Sequence, residues 1–380
     1  MNRHLFHPVI LLRALLRPID PVLMLVLACL LGYAVVLMSS ASPERIESQL
    51  THMALAVAAM WIVAFIPSQR LLAMGLPCYV FGIALLLAVL LFGDISKGAQ
   101  RWLNIGVARI QPSELMKIAM PLMLAWFFQK REAHIGWREF IAAGVLLAVP
   151  VAMIAKQPDL GTALLVAAAG LYVIFFAGLS WKLIVPVVVI GITGIVAIVA
   201  FGDTLCQPDS VWPGIRDYQK QRVCTLLDPT RDPLGKGFHI IQSTIAIGSG
   251  GLFGKGWMQG TQTHLSFLPE RHTDFIFAVL AEEFGLLGAL FLLLIYFVLI
   301  ARGLYIAAIA LTLGTQLLAG AVTMIFFTYV LVNMGMVSGI LPVVGVPLPF
   351  ISYGGTALVT LCLGLGILMS IRRDKLAHKR

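Results

Sequence analysis

The stretch LPERHTDFIFAVLAEEFG, residues 268–285, joins two chemistries that seldom meet. Its second half is apolar enough to begin a membrane helix. Its first half carries Glu270, Arg271, His272 and Asp274, and Glu282 and Glu283 follow deeper in the apolar run. Asp274 is expected in the first turn of a span, at its outer end, where the positive end of the helix dipole stabilises a carboxylate. Capping is one reading of it. The flanking Arg271 and His272, and the basic loop before them, favour a chemical one. Glu282 and Glu283 lie about 12 Å further in at 1.5 Å per residue, where ionisable groups are costly and functional by default. Successive helical residues point about 100° apart, so the pair is not expected to face one partner, and at least one is expected only to satisfy a neighbouring helix.

The rest of the chain has the same apolar character. Its 380 residues are 59% hydrophobic and 12% charged, and the mean hydropathy is +0.94. Such a composition excludes a soluble globular domain and implies a polytopic, all-α membrane protein. The apolar-window rule places ten spans at roughly 20–40, 51–66, 74–92, 112–129, 139–155, 161–178, 183–201, 273–300, 306–335 and 353–371. The pI near 9.5 is not read as a nucleic-acid signal. Arg3, Arg13 and Arg17, the tail residues 372–380, and Arg70, Lys130, Arg131, Arg138, Lys182 and Arg302 in short loops fall on one side. The positive-inside rule makes that side the cytoplasm, with both termini inside. The whole chain reads as one domain, with residues 1–19 forming a surface-lying juxtamembrane helix rather than a removed signal peptide.

The outer loops break the charge pattern. Residues 93–111 put Lys97, Arg101 and Arg109 outside, and a long loop over 202–272 adds seven Lys or Arg. Long loops translocate largely regardless of charge, but short-loop cations call for a reason. An anionic ligand is one; lipid phosphates are the alternative. The long loop is expected to hold short helices near 216–227 and 238–247. Its Cys206 and Cys224 are candidates for a disulfide if the loop faces an oxidising space. Cys29, Cys78 and Cys362 read as packing residues. The stretch GILPVVGVPLPFISYGG, 339–355, is apolar, but Pro342, Pro347 and Pro349 forbid a regular helix. Irregular backbone at membrane depth survives only inside protein or a wet cavity, so a re-entrant segment is expected there.

Three spans begin on the outer side with polar runs: Gln-Pro-Ser-Glu at 111–114, Gln-Pro-Asp at 157–159 and His-Thr-Asp at 272–274. Glu114 and Lys117 share a helical face at i,i+3, as a structural ion pair or a cavity floor. One outward cavity, lined by carboxylates and rimmed by Arg and Lys, explains the three together. A carboxylate can serve as general base toward a hydroxyl, and a basic rim stabilises a departing phosphate or pyrophosphate. With apolar grooves for a lipid tail, this suits group transfer from a lipid phosphate. No nucleotide-binding loop, Ser-His-Asp site or all-protein metal cage is visible.

At these residues the chain resembles the SEDS family (shape, elongation, division and sporulation). The matching stretches are ISKGAQRWLNIG, QPSELMKIA, QPDLGT, YQKQRV, DPLGKGFHIIQS, AIGSGGLFGKG, FLPERHTDFIFAVLAEEFG and NMGMVSGILPVVGVPLPFISYGG. Arg271 in LPERHTDFIF resembles the elongation branch, since the division branch usually carries Ala there. The run FGDTLCQPDSVWPGIRDYQ departs from the family, being longer than its usual turn. The resemblance implies a ten-span peptidoglycan glycosyltransferase that polymerises lipid II on the outer face of the bacterial cytoplasmic membrane. It implies Asp274 as the essential carboxylate and Glu114 and Lys117 as the intramembrane pair. It implies a class B penicillin-binding protein as crosslinking partner, within the MreB-directed elongation complex. On this reading Asp274 deprotonates the acceptor 4-hydroxyl. Arg101, Arg109, Arg222, Lys117 and Arg271 are candidates to neutralise undecaprenyl pyrophosphate, with Asp159, His272 and Ser352 as further substrate contacts. A divalent cation, Mg or Mn, could assist at the pyrophosphate. A lipid II flippase and a non-catalytic scaffold are the competing readings. Span halves nearly free of charge on the cytoplasmic side favour the enzyme over the flippase.

Overall fold

The computed structural model describes residues 18–96, 99–104, 109–207, 212, 217–231, 235–265 and 270–378. The helix expected over residues 1–19 lies almost wholly outside them. The chain is a polytopic helical membrane protein. Eight helices are long and apolar enough to cross a bilayer. They are α1 (Pro21–Ala41), a helix over Pro43–Phe65 whose α-helical part is α2 (Ile46–Phe65), α4 (Gly75–Phe92), α6 (Trp137–Lys156), α8 (Trp181–Ala200), α13 (Ile276–Ile309), α14 (Leu313–Val337) and α15 (Gly355–His378). Two more, α5 (Pro112–Lys130) and α7 (Leu160–Phe176), pack among them, and α3 (Ser68–Ala73) is a short link.

The boundaries follow local chemistry. Asp20 caps α1, accepting from the backbone N–H of Val22 and Leu23 at 2.9 and 3.0 Å, with Pro21 at the first helical position. The same buried carboxylate pairs with Arg302 and Arg372, each at 2.8 Å. This corrects the expected loop position of Arg302. It lies inside α13, because an ion pair lets the helix run on to Ile309. The core is built on α14 and α15, with Tyr296, Tyr329, Phe128, Phe326 and Phe350 almost fully buried. By contrast no residue of α8 is buried.

Two features differ from a plain bundle. Three short strands, β1 (Asp94–Ser96), β2 (Ala99–Asn104) and β3 (Arg109–Ile110), form an antiparallel sheet, so the chain is not all-α. The long loop carries α9 (Gly202–Leu205), α10 (Asp217–Leu227), α11 (Lys236–Gly250) and α12 (Thr261–His264), and Cys206 is bonded to Cys224. The indole N–H of Trp212 donates to the Leu205 carbonyl within this loop.

The expected continuous span after Asp274 is broken. Gly285 in α13 adopts φ 65° and ψ −161°, a region open to glycine. The loop after α11 threads into the break. Leu286 and Leu287 N–H donate to the carbonyls of Gly251 and Leu252, and Lys255 and Gly256 N–H donate to those of Glu282 and Glu283, at 2.9–3.1 Å. Four backbone groups beside the break thereby find partners in the loop, as burial demands. A Cβ at Gly254 would lie 2.1 Å from the Glu283 carbonyl oxygen, so only glycine permits this approach.

Candidate active site

Asp274 stands in a turn over residues 270–275, not in the first helical turn as the sequence suggested. Glu270 has φ 52°, and its carbonyl accepts from the N–H of Thr273 at 3.0 Å and of Phe275 at 3.4 Å. That extra winding delays α13, whose cap residue is Phe275 and takes no side-chain hydrogen bond.

The irregular 339–354 segment holds this turn from the other side. Ser352 Oγ donates to the Thr273 carbonyl at 2.6 Å and accepts from Leu348 N–H at 2.7 Å. Tyr353 N–H donates to the His272 carbonyl at 2.8 Å. The fully buried Asn333 donates to the carbonyls of Asp274 and Val346 at 2.9 and 2.7 Å. Gly345, at φ 74°, lies so close that a Cβ there would sit 3.4 Å from Asp274 Oδ2.

Beside Asp274 opens a cavity of about 200 Å³ lined by Arg222, Thr225, His239, Glu270, Phe275 and Val343, among others. Arg222 arrives on α10, which the Cys206–Cys224 bond ties to the end of α9. His239 arrives on α11, its ring stacked on Phe275 at 5.6 Å and 20°. Burial holds the His239 imidazole below the usual histidine range, against the opposing pull of Glu270. His272 is likewise pushed down, by burial and then by the Arg45 charge; its ring packs edge-on to Tyr353 at 5.8 Å.

Four of the other predicted residues, Asp159, Arg101, Glu114 and Lys117, form a second cluster. Asp159 caps α7, accepting from Thr162 N–H at 3.3 Å and from Gln111 Nε2 at 3.0 Å. Arg101 lies 3.9 Å from Asp159 and donates to the Pro158 carbonyl at 2.7 Å. Lys117 is buried and donates to Glu114 and to Tyr329 OH, both at 2.6 Å. Arg109 is exposed on β3, paired in register with Asn104. The two clusters flank one segment: a Cβ at Gly161 would lie 2.6 Å from the Val344 carbonyl oxygen, next to the Gly345 that abuts Asp274.

Arg271 bonds the Thr263 carbonyl through its guanidinium. Both deep carboxylates serve the inserted loop. Glu282 accepts from Lys255 Nζ at 2.7 Å, Thr261 Oγ1 at 3.0 Å and Gln262 N–H at 3.0 Å. Glu283 accepts from Ser40 Oγ and lies 3.9 Å from His264 Nε2.

Sequence reasoning missed His239, Glu270, Tyr329 and Asn333 as site residues. His239 and Glu270 lay within the quoted motifs, but helical spacing carries no sign that α11 crosses over Asp274. Among the described residues, no group of three or more His, Cys, Asp or Glu is arranged to hold a metal.

A polytopic membrane bundle, with a carboxylate and a cation in one cavity beside an interrupted helix, defines the class. The chain belongs to the FtsW/RodA/SpoVE family of cell cycle proteins, whose model matches residues 11–376. It is 51% identical to the peptidoglycan glycosyltransferase MrdB of Escherichia coli K12 over 360 residues, 94% of each chain. It is 34% identical to the peptidoglycan glycosyltransferase RodA of Treponema pallidum, over 77% of this chain and 82% of that one. Among solved structures it resembles a chain of a peptidoglycan synthase complex that coordinates polymerization and crosslinking, with TM-score 0.77 and 33% identity over 94% of this chain and 98% of that one. It also resembles the rod shape determining protein RodA of Thermus thermophilus, with TM-score 0.68 and 28% identity over 94% and 97%.

Proposed function

We propose that this chain is a peptidoglycan glycosyltransferase that polymerises lipid II into glycan strands during lateral wall elongation and rod-shape maintenance. Asp274 is the general base. It removes the proton from the acceptor 4-hydroxyl, whose oxygen attacks the anomeric carbon of the lipid-linked strand with inversion. Undecaprenyl pyrophosphate leaves, and Arg222 stabilises its growing charge from the same cavity. Arg271 and His272 lie in the turn and Ser352 holds it, while Arg101, Arg109, Lys117, Glu114 and Asp159 form the second half of the substrate platform. A Mg or Mn ion would take most of its ligands from pyrophosphate oxygens and water.

The observation that carries this reading is the shared cavity of Asp274 and Arg222, a base and an anion stabiliser at the mouth of a membrane helix. An apolar cavity of about 440 Å³ between α11 and α13, lined by Ile247, Leu252, Phe277 and Leu286, supplies a groove suited to a polyprenyl tail. We further propose ten spans, counting α5 and α7 with the eight, a re-entrant 339–354 segment, cytoplasmic termini and an outward-facing site. The crosslinking partner is a class B penicillin-binding protein within the MreB-directed complex.

Polymerisation of labelled lipid II by the purified protein with its crosslinking partner tests the reading. Glycan ladders from wild type and none from folded, partner-bound Asp274→Asn are expected. Ladders from both would remove Asp274 as the base; ladders from neither would return the flippase or scaffold to the front.

A further inference from the structure

His239 shares the cavity with Asp274, yet neither the family resemblance nor the base mechanism uses it. A carboxylate is in general a weaker base than an imidazole, so a histidine beside it is a better final resting place for a hydroxyl proton. The ring is held in a defined orientation, face to face with Phe275, the residue that follows Asp274 in the chain. Its Nδ1 is buried and has no hydrogen-bond partner among the described residues. The ring is therefore oriented by stacking, with no hydrogen bond at Nδ1 to hold a proton in place.

We propose that His239 is a proton-relay residue of this site, receiving from Asp274 the proton that the acceptor hydroxyl loses. This inference rests on Asp274 as the base. In the balanced step the acceptor O–H bond breaks and its electron pair forms the new bond to the anomeric carbon. The anomeric carbon–pyrophosphate bond breaks with its pair leaving on the phosphate oxygen. The proton passes to the Asp274 carboxylate, then to His239, then to solvent. Three charged groups line the cavity with His239: Asp274 from the turn, Glu270 from the start of that turn, and Arg222 from α10. Burial keeps the imidazole neutral to lower pH than usual, with Glu270 acting against it. A relay must be neutral to accept, so its contribution is present above its depressed pKa and disappears as pH falls through it.

The test is the pH–rate profile of lipid II polymerisation by the partner-bound protein: wild type, His239→Gln, His239→Phe and Asp274→Asn. The wild-type rate should fall on an acid limb between the ordinary carboxylate and histidine ranges, about pH 4 to 6.5. Both His239 variants should lose about 100-fold in rate at neutral pH, and the limb should move down into the carboxylate range in His239→Gln. His239→Phe preserves the stack on Phe275. If it folds, binds the partner and polymerises at the wild-type rate, the ring is only packing and the relay is overturned. An unmoved acid limb in His239→Gln overturns it too. Should both variants fail to fold, the wild-type profile decides alone, and the absence of a limb in that window refutes the relay. Activity in Asp274→Asn would instead sink the base assignment, which the other arms do not touch.

Discussion

Asp159 and Asp274 close similar polar runs ahead of apolar helices, and the fold uses them differently. Asp159 turns its carboxylate back onto its own helix and is held there by Thr162, Gln111 and Arg101. Asp274 stands one residue ahead of the cap of α13, with its Oδ2 against Gly345 and its side chain on the cavity. One wound turn, nucleated at the positive-φ Glu270, separates a capping aspartate from one that lines a cavity. Conversely Glu282 and Glu283, deeper and more costly to bury, are structural. Glu282 is bonded to the loop that fills the helix break, and Glu283 to Ser40 of α1.

The sharpest break of the comparison is Asp274→Asn. It should lower polymerisation by about 100- to 10,000-fold, with thermal stability in detergent within about 0.5 kcal/mol of wild type. Next comes Lys117→Met, which strands a buried Glu114 carboxylate. It should destabilise the fold by about 3–5 kcal/mol, read as a large drop in Tm. Replacing both Glu114 and Lys117 by Met should recover much of that loss. Cys206→Ser with Cys224→Ser opens a closed loop of 18-residue separation, for which chain entropy gives about 3 kcal/mol. Because Cys224 follows Arg222 closely on α10, protease cleavage of the loop should quicken and the polymerisation rate should fall with it. The smallest effect is Asp159→Ala, a lost cap of about 1 kcal/mol, with a fall in glycan synthesis far smaller than that of Asp274→Asn. A collapse of synthesis in Asp159→Ala comparable to that in Asp274→Asn would erase the distinction between the two aspartates.

Much of the architecture was legible in the residues. Apolar windows located the helices, because a bilayer demands about twenty apolar residues per span. Pro342, Pro347 and Pro349 announced the irregular segment, and the short helices of the long loop fell close to where they were expected. The errors have local causes. Arg302 truncated a window because its partner Asp20 is nearly three hundred positions away. The strands at 94–110 are short and polar, without the sustained alternation that marks a strand. The break at Gly285 was hidden because the residues that satisfy it, 251–256, lie in another part of the chain.

What this sequence determined by itself was its solvent, its helices and the types of chemistry at their outer ends, since those depend on composition and on residues a few positions apart. Tertiary structure decided which carboxylates became caps or loop anchors and which came to line the cavity. It also brought His239, Arg222 and Asp274 together from three separate elements. The reason is physical: the environment of an ionisable group is set by everything within a few ångströms of it, and here those neighbours are long-range in sequence.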